Sequence, residues 1–375
     1  MNIVTKSPEA DVLKQALVSK TDAESLRIKR FLAMPDLSRT PGSPLNEMVE
    51  RVKNLPLFKN FDDINIPEIV PAVVSFDLFD FPSNHPARSK SDTYYLDDKN
   101  ILRTHDTVFW YYYLNHPEIK ERLSRKESMG ALCYGKVYRK DEIDRKHMNV
   151  FHQMGGWYIK PDSEGMLAMD DLKSALSEVI KSIFGQNIEF RFNKDEFPYT
   201  DPSLEVEIKI GEGWVEILGG GMPKKTVLKN FGLEGYNGWA FGFGLERLAI
   251  ASMDLQDIRL LWSSDERVRR QLKLGQKFVE VSKYPPITRD ISFVVDKSFV
   301  PNNYFDLIRD IGGDLVEEVQ LLDKYENSKF GADKVSYTYR IVYRSHERTL
   351  VAAEVDEIQS RIYKETAEQF KADLR

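Results

Sequence analysis

The sequence predicts an α+β protein in two parts: an antiparallel sheet flanked by helices, then a smaller ferredoxin-like (split βαβ) domain. Three observations carry this. Runs such as Leu204-Glu-Val-Glu-Ile-Lys-Ile210 alternate strictly, as antiparallel strands with one solvated face do. Between 168 and 184, Leu172, Leu176, Val179, Ile180 and Ile183 recur at helical spacing. Residues 284–375 read strand, helix, strand, strand, helix.

The 375 residues suffice for two domains and a large core. With 42% hydrophobic and 30% charged residues the composition is that of an ordinary globular chain, and no apolar run reaches the ~20 residues of a membrane span. The single cysteine, Cys133, excludes a disulfide framework and a multi-cysteine zinc site within one chain. A net charge of -6 argues against a nucleic-acid coat but allows a local basic surface. The first residues, with Glu9 and Asp11, have neither an apolar signal core nor an acid-poor presequence pattern.

Taken in order, 1–42 reads as a peripheral arm with a helix over 11–30. Ser43-Pro44 marks a helix start, a capping hydroxyl followed by proline at the first helical position. Pro71 inside an apolar run places that piece at a sheet edge or bend. Two short strands, 92–96 and 101–105, flank a polar turn; a helix over 107–123 is kinked or divided at Pro117. Residues 135–141 and 151–159 form a strand pair around a charged loop, and strands are expected at 188–193, 204–210, 214–219 and 240–243. A linker at 273–283 separates the two parts.

Three constellations could carry chemistry. Arg139 and Phe151 can face one another across the strand pair, as a guanidinium for phosphate and a ring for a base, or as a plain surface hairpin with an Arg-Asp pair. In Gly238-Trp-Ala-Phe-Gly-Phe-Gly-Leu-Glu-Arg247, glycines allow backbone to approach a ligand and a helix start then carries Arg247 to it. The same stretch also fits a buried helix with a structural Glu246–Arg247 pair. Phe197-Pro-Tyr-Thr-Asp-Pro-Ser203 is either a wall of an apolar pocket or a strand cap in the core. No Gly-x-Ser-x-Gly elbow and no His-Glu-x-x-His zinc pattern occurs. These residue types make a positioning site, not an acid–base or covalent machine.

Together the segments resemble class II aminoacyl-tRNA synthetases, specifically the phenylalanyl-tRNA synthetase family. Gly135-Lys-Val-Tyr-Arg-Lys-Asp-Glu-Ile-Asp144, His147 and Phe151-His-Gln153 look like the second class II motif; Gly242-Phe-Gly-Leu-Glu-Arg247 looks like the third. His85-Pro-Ala-Arg88, Leu102-Arg-Thr-His105 and the 197–203 stretch are further likenesses. The C-terminal part, with Arg344-Ser-His-Glu-Arg-Thr-Leu350, resembles a ferredoxin-fold anticodon-binding domain. Its fusion behind the core resembles the single-chain, mitochondrial type, expected to be a monomer without a separate large subunit. The implied partition is an arm (1–42), a class II catalytic domain (43–272), a linker (273–283) and the anticodon-binding domain (284–375).

The resemblance implies activation of L-phenylalanine with ATP and Mg2+, then transfer to the terminal ribose of tRNA(Phe). It implies an ATP site of Arg139, Asp141, His147, Phe151 and Arg247, with Arg139 and Arg247 catalytic. It implies an amino-acid site of His105, Thr107, Gln153, Phe197, Tyr199, Ala240 and Gly242. Arg340, Arg344, His346 and Arg348 are the expected RNA contacts; the magnesium ligands stay open among Asp201, Glu205 and Glu216. Three positions depart from the family pattern. Gly155 stands where an acidic residue helps bind the ammonium group, Asp106-Thr107 where Thr-Ser is usual, and Tyr199 where Phe is usual. Asp106 is a candidate for the missing carboxylate. A paralogue that binds without charging is the competing reading. No membrane is expected; the cytoplasm is the expected compartment and the mitochondrial matrix the alternative.

Overall fold

The computed structural model describes residues 1–142, 144–280, 284–326, 330–331, 333–345 and 347–375. The chain divides into two compact units. The first is Met1–Arg139, Val150–Leu255 and Leu272–Lys277; the second is Lys140–Asn149, Gln256–Gln271 and Phe278–Arg375.

The strands of the first unit are β1 (Asn2–Val4), β2 (Asp62–Asn65), β3 (Ile69–Pro71), β4 (Asn100–Leu102), β5 (Met129–Tyr138), β6 (Val150–Pro161), β7 (Phe190–Phe197), β8 (Thr200–Ile210), β9 (Gly213–Pro223) and β10 (Tyr236–Gly244). One sheet has the order β1-β2-β5-β6-β10-β9-β8-β7, and β3 pairs with β4 apart from it. From β5 to β7 every pairing is antiparallel, as alternation predicts. The short β1 and β2 add a parallel edge, which makes the sheet mixed; three- and four-residue strands are too short for a pattern to reveal.

β5 is buried at every position, so both of its faces are covered. The helix Met169–Phe184 buries Leu172, Leu176, Val179, Ile180 and Ile183, the stripe read from the sequence. It packs on the helix Pro44–Lys53 and on β9, and Pro44–Lys53 in turn packs on the helix Leu245–Met253. Each buried large aliphatic side chain contributes roughly 1.5–3 kcal/mol of transfer free energy. Ser43 caps Pro44–Lys53 as its sequence suggests, with Oγ accepting from the Leu45 N–H at 3.2 Å.

Three expected elements are divided. The helix over 11–30 is two, Pro8–Ser19 and Ala23–Ala33, because Asp22 starts a new one by accepting from the Ser25 N–H. At 107–123 a 3-10 turn, Asp106–Val108, leads into Phe109–Leu114, and Pro117 opens a separate helix, Pro117–Ser124. The strand pair at 92–105 reduces to the bridge Tyr95↔Ile101, since Asp97 Oδ1 turns the chain by accepting from the Lys99 and Asn100 N–H groups, and β4 pairs with β3 instead. Pro71 ends β3, at an edge as expected.

The second unit runs β11 (Ile287–Asp296), helix Pro301–Gly312, β12 (Val316–Tyr325), β13 (Lys334–Tyr343), helix Ala352–Phe370 and β14 (Asp373–Leu374). Its sheet order β12-β13-β11-β14 is the split βαβ plan, with the β11, β13 pair at the centre. Phe293, Tyr304, Tyr339, Ile341, Val355 and Ile362 lie in its core. Residues 281–283 of the expected linker and His346 lie outside the described residues.

Candidate active site

The site grows from the register of β5, β6 and β10. Val137 of β5 lies opposite Phe151 of β6, Gly135 opposite Gln153, and Gly242 of β10 opposite Gly155. Alternation along β6 buries His152 and Met154 and leaves Phe151 and Gln153 on the other, partly open face.

His152 shows what Glu246 does. The Glu246 carboxylate accepts the His152 N–H at 2.8 Å and its Nδ1–H at 2.6 Å, and His152 Nε2 accepts the Leu37 N–H at 2.9 Å. All of these groups are buried, so the carboxylate fixes the ring tautomer and ties the helix Leu245–Met253 to β6. Glu246 is therefore no partner of Arg247. Consecutive helical residues point in different directions, and Arg247 emerges to solvent, where Nη1 meets Glu216 Oε1 at 3.0 Å.

Arg139 follows β5 and lies over Phe151, with Cζ 5.2 Å from the ring centroid. Its Nε donates to the Thr104 carbonyl at 2.9 Å. The sequence expectation that these two face each other across the hairpin holds in this geometry. Gly135 has a φ of +140°, and a Cβ there would stand 2.5 Å from Arg103 Nη2, so the glycine admits a buried arginine beneath the site. Arg103 Nε donates to the Lys136 carbonyl at 2.7 Å.

The residues read as the amino-acid site converge on the turn at 105–107. Gln153 Oε1 accepts the Asp106 N–H at 3.0 Å. His105 Nε2 donates to the Ser75 carbonyl at 3.0 Å, and its Nδ1 is buried without a hydrogen-bond partner. Burial pushes the His105 pKa down to about 4, so the ring is neutral at pH 7. Thr107 lies on the same 3-10 turn, partly buried. The Phe197 and Tyr199 rings stack at 5.9 Å between centroids. Tyr199 also meets Phe79 and Phe81, and Phe81 stacks on His105. Tyr199 packs against the core that contains Ala240, and burial raises its hydroxyl pKa to about 12. Phe79 and Phe81 were missed from sequence. They sit in an irregular, proline-interrupted stretch, and only their density of aromatics could have signalled a pocket.

The profile of the tRNA synthetases class II core domain (F) matches residues 32–272, and that of the ferredoxin-fold anticodon binding domain matches 282–375. A chloroplastic/mitochondrial phenylalanine–tRNA ligase of Arabidopsis thaliana is 41% identical over 329 residues, spanning 85% of this chain and 73% of that protein. A mitochondrial phenylalanine–tRNA ligase of Saccharomyces cerevisiae is 30% identical over 453 residues, 98% and 92% of the two chains. A phenylalanine–tRNA ligase alpha subunit of Caldicellulosiruptor saccharolyticus is 33% identical over 243 residues, 61% of this chain and 68% of that one. The chain belongs to the phenylalanine–tRNA ligase family.

In this synthetase, Asp141 and His147 lie on the Lys140–Asn149 segment of the second unit. Within that unit, Arg309 donates to the Asp141 and Glu142 carbonyls at 3.1 and 2.6 Å, and His147 Nδ1 lies 2.7 Å from Asp144 Oδ2. Of the expected RNA contacts, the three arginines are each in an ion pair: Arg340 with Asp290 through two bonds of 2.8 Å, Arg344 with Glu317 at 2.9 Å, and Arg348 with Glu354. Among the described residues no group of three or more His, Cys, Asp and Glu could hold a metal, and no helix is long and apolar enough to cross a membrane.

Proposed function

We infer that this chain activates phenylalanine with ATP and charges tRNA(Phe) with it. Family membership supports the reaction; the observation that carries the site is Arg139 poised over Phe151 beside the turn at 105–107. Phe151 would stack on adenine, with Arg247 on its other face. Arg139 would neutralise the charge that develops on the α-phosphate as the carboxylate of phenylalanine attacks and pyrophosphate leaves. Because the site is preorganised, these charges cost little reorganisation at the moment of reaction.

His105, Thr107 and Gln153 would hold the polar end of the amino acid, and Phe197, Tyr199, Ala240 and Gly242 would enclose its ring. A neutral His105 offers its free Nδ1 as an acceptor. Mg2+ would arrive with ATP. Such an ion needs one or two protein carboxylates besides phosphate oxygens, and Glu205 and Glu216 on the adjacent β8 and β9 are of the right kind. The second unit would contact tRNA through Arg340, Arg344 and Arg348, by exchange of carboxylate for phosphate. The names of the plant and yeast relatives support an organellar location, and the two domains in one chain support the single-chain type and with it a monomer. The test is amino-acid-dependent ATP–pyrophosphate exchange. Exchange driven by phenylalanine is expected; absence of exchange with every amino acid would leave the non-charging paralogue as the better reading.

A further inference from the structure

The carboxyl group of Asp106 is met by backbone N–H groups of its own turn, those of Asp106 and Thr107, and one of its oxygens is left over. The residue is only 3% exposed, yet its Oδ2 makes no hydrogen bond. Leaving a buried carboxylate oxygen unpaired costs free energy that a purely structural residue would avoid by pairing or by being neutral in type. The surroundings are shaped for it all the same. It lies against a cross-strand pair of glycines, Gly155 of β6 and Gly242 of β10. A Cβ on Gly155 would fall 2.0 Å from Asp106 Oδ2, and one on Gly242 3.5 Å from Oδ1. β6 thus leaves out a side chain where this carboxyl sits, whereas a Cβ at Gly242 would only touch it. Its backbone N–H is fixed by Gln153, and its neighbours on the turn are His105 and Thr107.

We propose that Asp106 fixes the α-ammonium group of the amino-acid substrate through its carboxylate, and so is the residue that makes this site select an α-amino acid. The geometry fits that task. A primary ammonium carries three donors, and the buried, unpaired Oδ2 offers the acceptor. Tyr199 and Arg139 lie within electrostatic reach of the same carboxyl, which puts the ring pocket and the presumed phosphate side around it. Burial raises the pKa of Asp106 to about 7, against the charges of Arg103 and Arg139. An incoming cation would favour the ionised form and relieve that cost. Arg103, buried beneath through Gly135, balances the acid in the empty site.

The inference rests on the amino-acid-activating reading, and the two fail separately. Phenylalanine-dependent pyrophosphate exchange by the unaltered protein tests the reading. The residue is tested by binding of two probes, L-phenylalaninol, which has the ammonium group, and 3-phenylpropan-1-ol, which lacks it. The unaltered protein should prefer phenylalaninol by about 30-fold or more, since breaking a buried charged pair costs at least that. In Asp106→Asn the preference should collapse to within a few-fold of unity, with affinity for 3-phenylpropan-1-ol and the KM for ATP unchanged. A preference absent from the unaltered protein, or one that survives in Asp106→Asn, overturns the proposal. So does an equal loss of both probes by a variant that still binds ATP, which would mark a structural role. Should the amide variant fail to fold, Asp106→Thr carries the same comparison.

Discussion

The candidate site residues of the two units hold charge in opposite ways. In the first, Arg103, Asp106 and Glu246 are buried and held by backbone groups or by a single specific partner, and one oxygen of Asp106 is left unpaired. In the second, Arg340 and Arg348 keep side chains 41% and 54% exposed, each on a carboxylate. Buried, incompletely paired groups are expensive and stay fixed; exposed ion pairs contribute little and exchange partners readily. The difference suits the proposed division of labour, small reacting molecules held in one geometry by the first unit and a polyanion exchanged for carboxylates by the second.

The comparison breaks most visibly at Arg139. Arg139→Ala should lower phenylalanine-dependent exchange by about 10³-fold, equivalent to ~4 kcal/mol of transition-state stabilisation, with the fold intact. A loss below tenfold would remove Arg139 from the α-phosphate. Next is Glu246→Ala, which strands the two His152 donors and should destabilise the first unit by about 3 kcal/mol. Thermal unfolding followed by a signal local to that unit reads this. An effect under about 1 kcal/mol would mean that the His152 tie is dispensable.

A smaller effect separates neighbours on one turn. Asp106 has its pKa raised from 3.8 to about 7, so between those values the folded chain keeps a proton that the unfolded chain has lost, and stability falls as pH rises. His105 has its pKa lowered from 6.5 to about 4, so between those values the unfolded chain binds the extra proton, and stability rises with pH. The two slopes oppose each other, each at most about 1.4 kcal/mol per pH unit. Asp106→Asn should unmask the His105 slope, giving a protein whose stability relative to the unaltered one climbs with pH up to about 7. A parallel pair of stability curves would show that Asp106 is not titrating there. Smaller again, Ala240→Gly should raise use of para-substituted phenylalanines by about tenfold in exchange assays, the scale of one methyl group in an apolar pocket. Unchanged selectivity would move Ala240 away from the ring.

Much of this was legible in the sequence, and the omissions have physical causes. The antiparallel strands, the Met169–Phe184 stripe and the βαβ order were legible because burial imposes a period on residues that must face a core. Arg139 meeting Phe151 was legible because the hairpin brings those two strand ends together, although the register sets Val137 directly opposite Phe151 and Arg139 reaches the ring diagonally. The partner of Glu246 was not. The chain marked a buried acid in need of a partner, but His152 stands 94 positions away and only the fold joins them. Asp106 was legible as a candidate for the carboxylate missing at Gly155, but that its side chain packs into the space over that glycine was hidden, because a glycine announces space without saying what fills it. Phe79 and Phe81 escaped because irregular backbone has no period to read.

The least effect is expected at Arg340, where the contrast between the units is sharpest. Its guanidinium makes two bonds of 2.8 Å to Asp290 on a surface strand pair, so Arg340→Ala should leave stability nearly unchanged. If the same arginine exchanges Asp290 for a phosphate, the KM for tRNA should rise several-fold while exchange with phenylalanine is untouched, and the salt dependence of charging should become shallower by about one ion. Asp290→Asn provides the converse, since it frees the arginine without removing it and should lower the KM for tRNA. If both variants charge tRNA like the unaltered protein, the pair is only a strand clasp and the RNA contact lies on another face of the second unit.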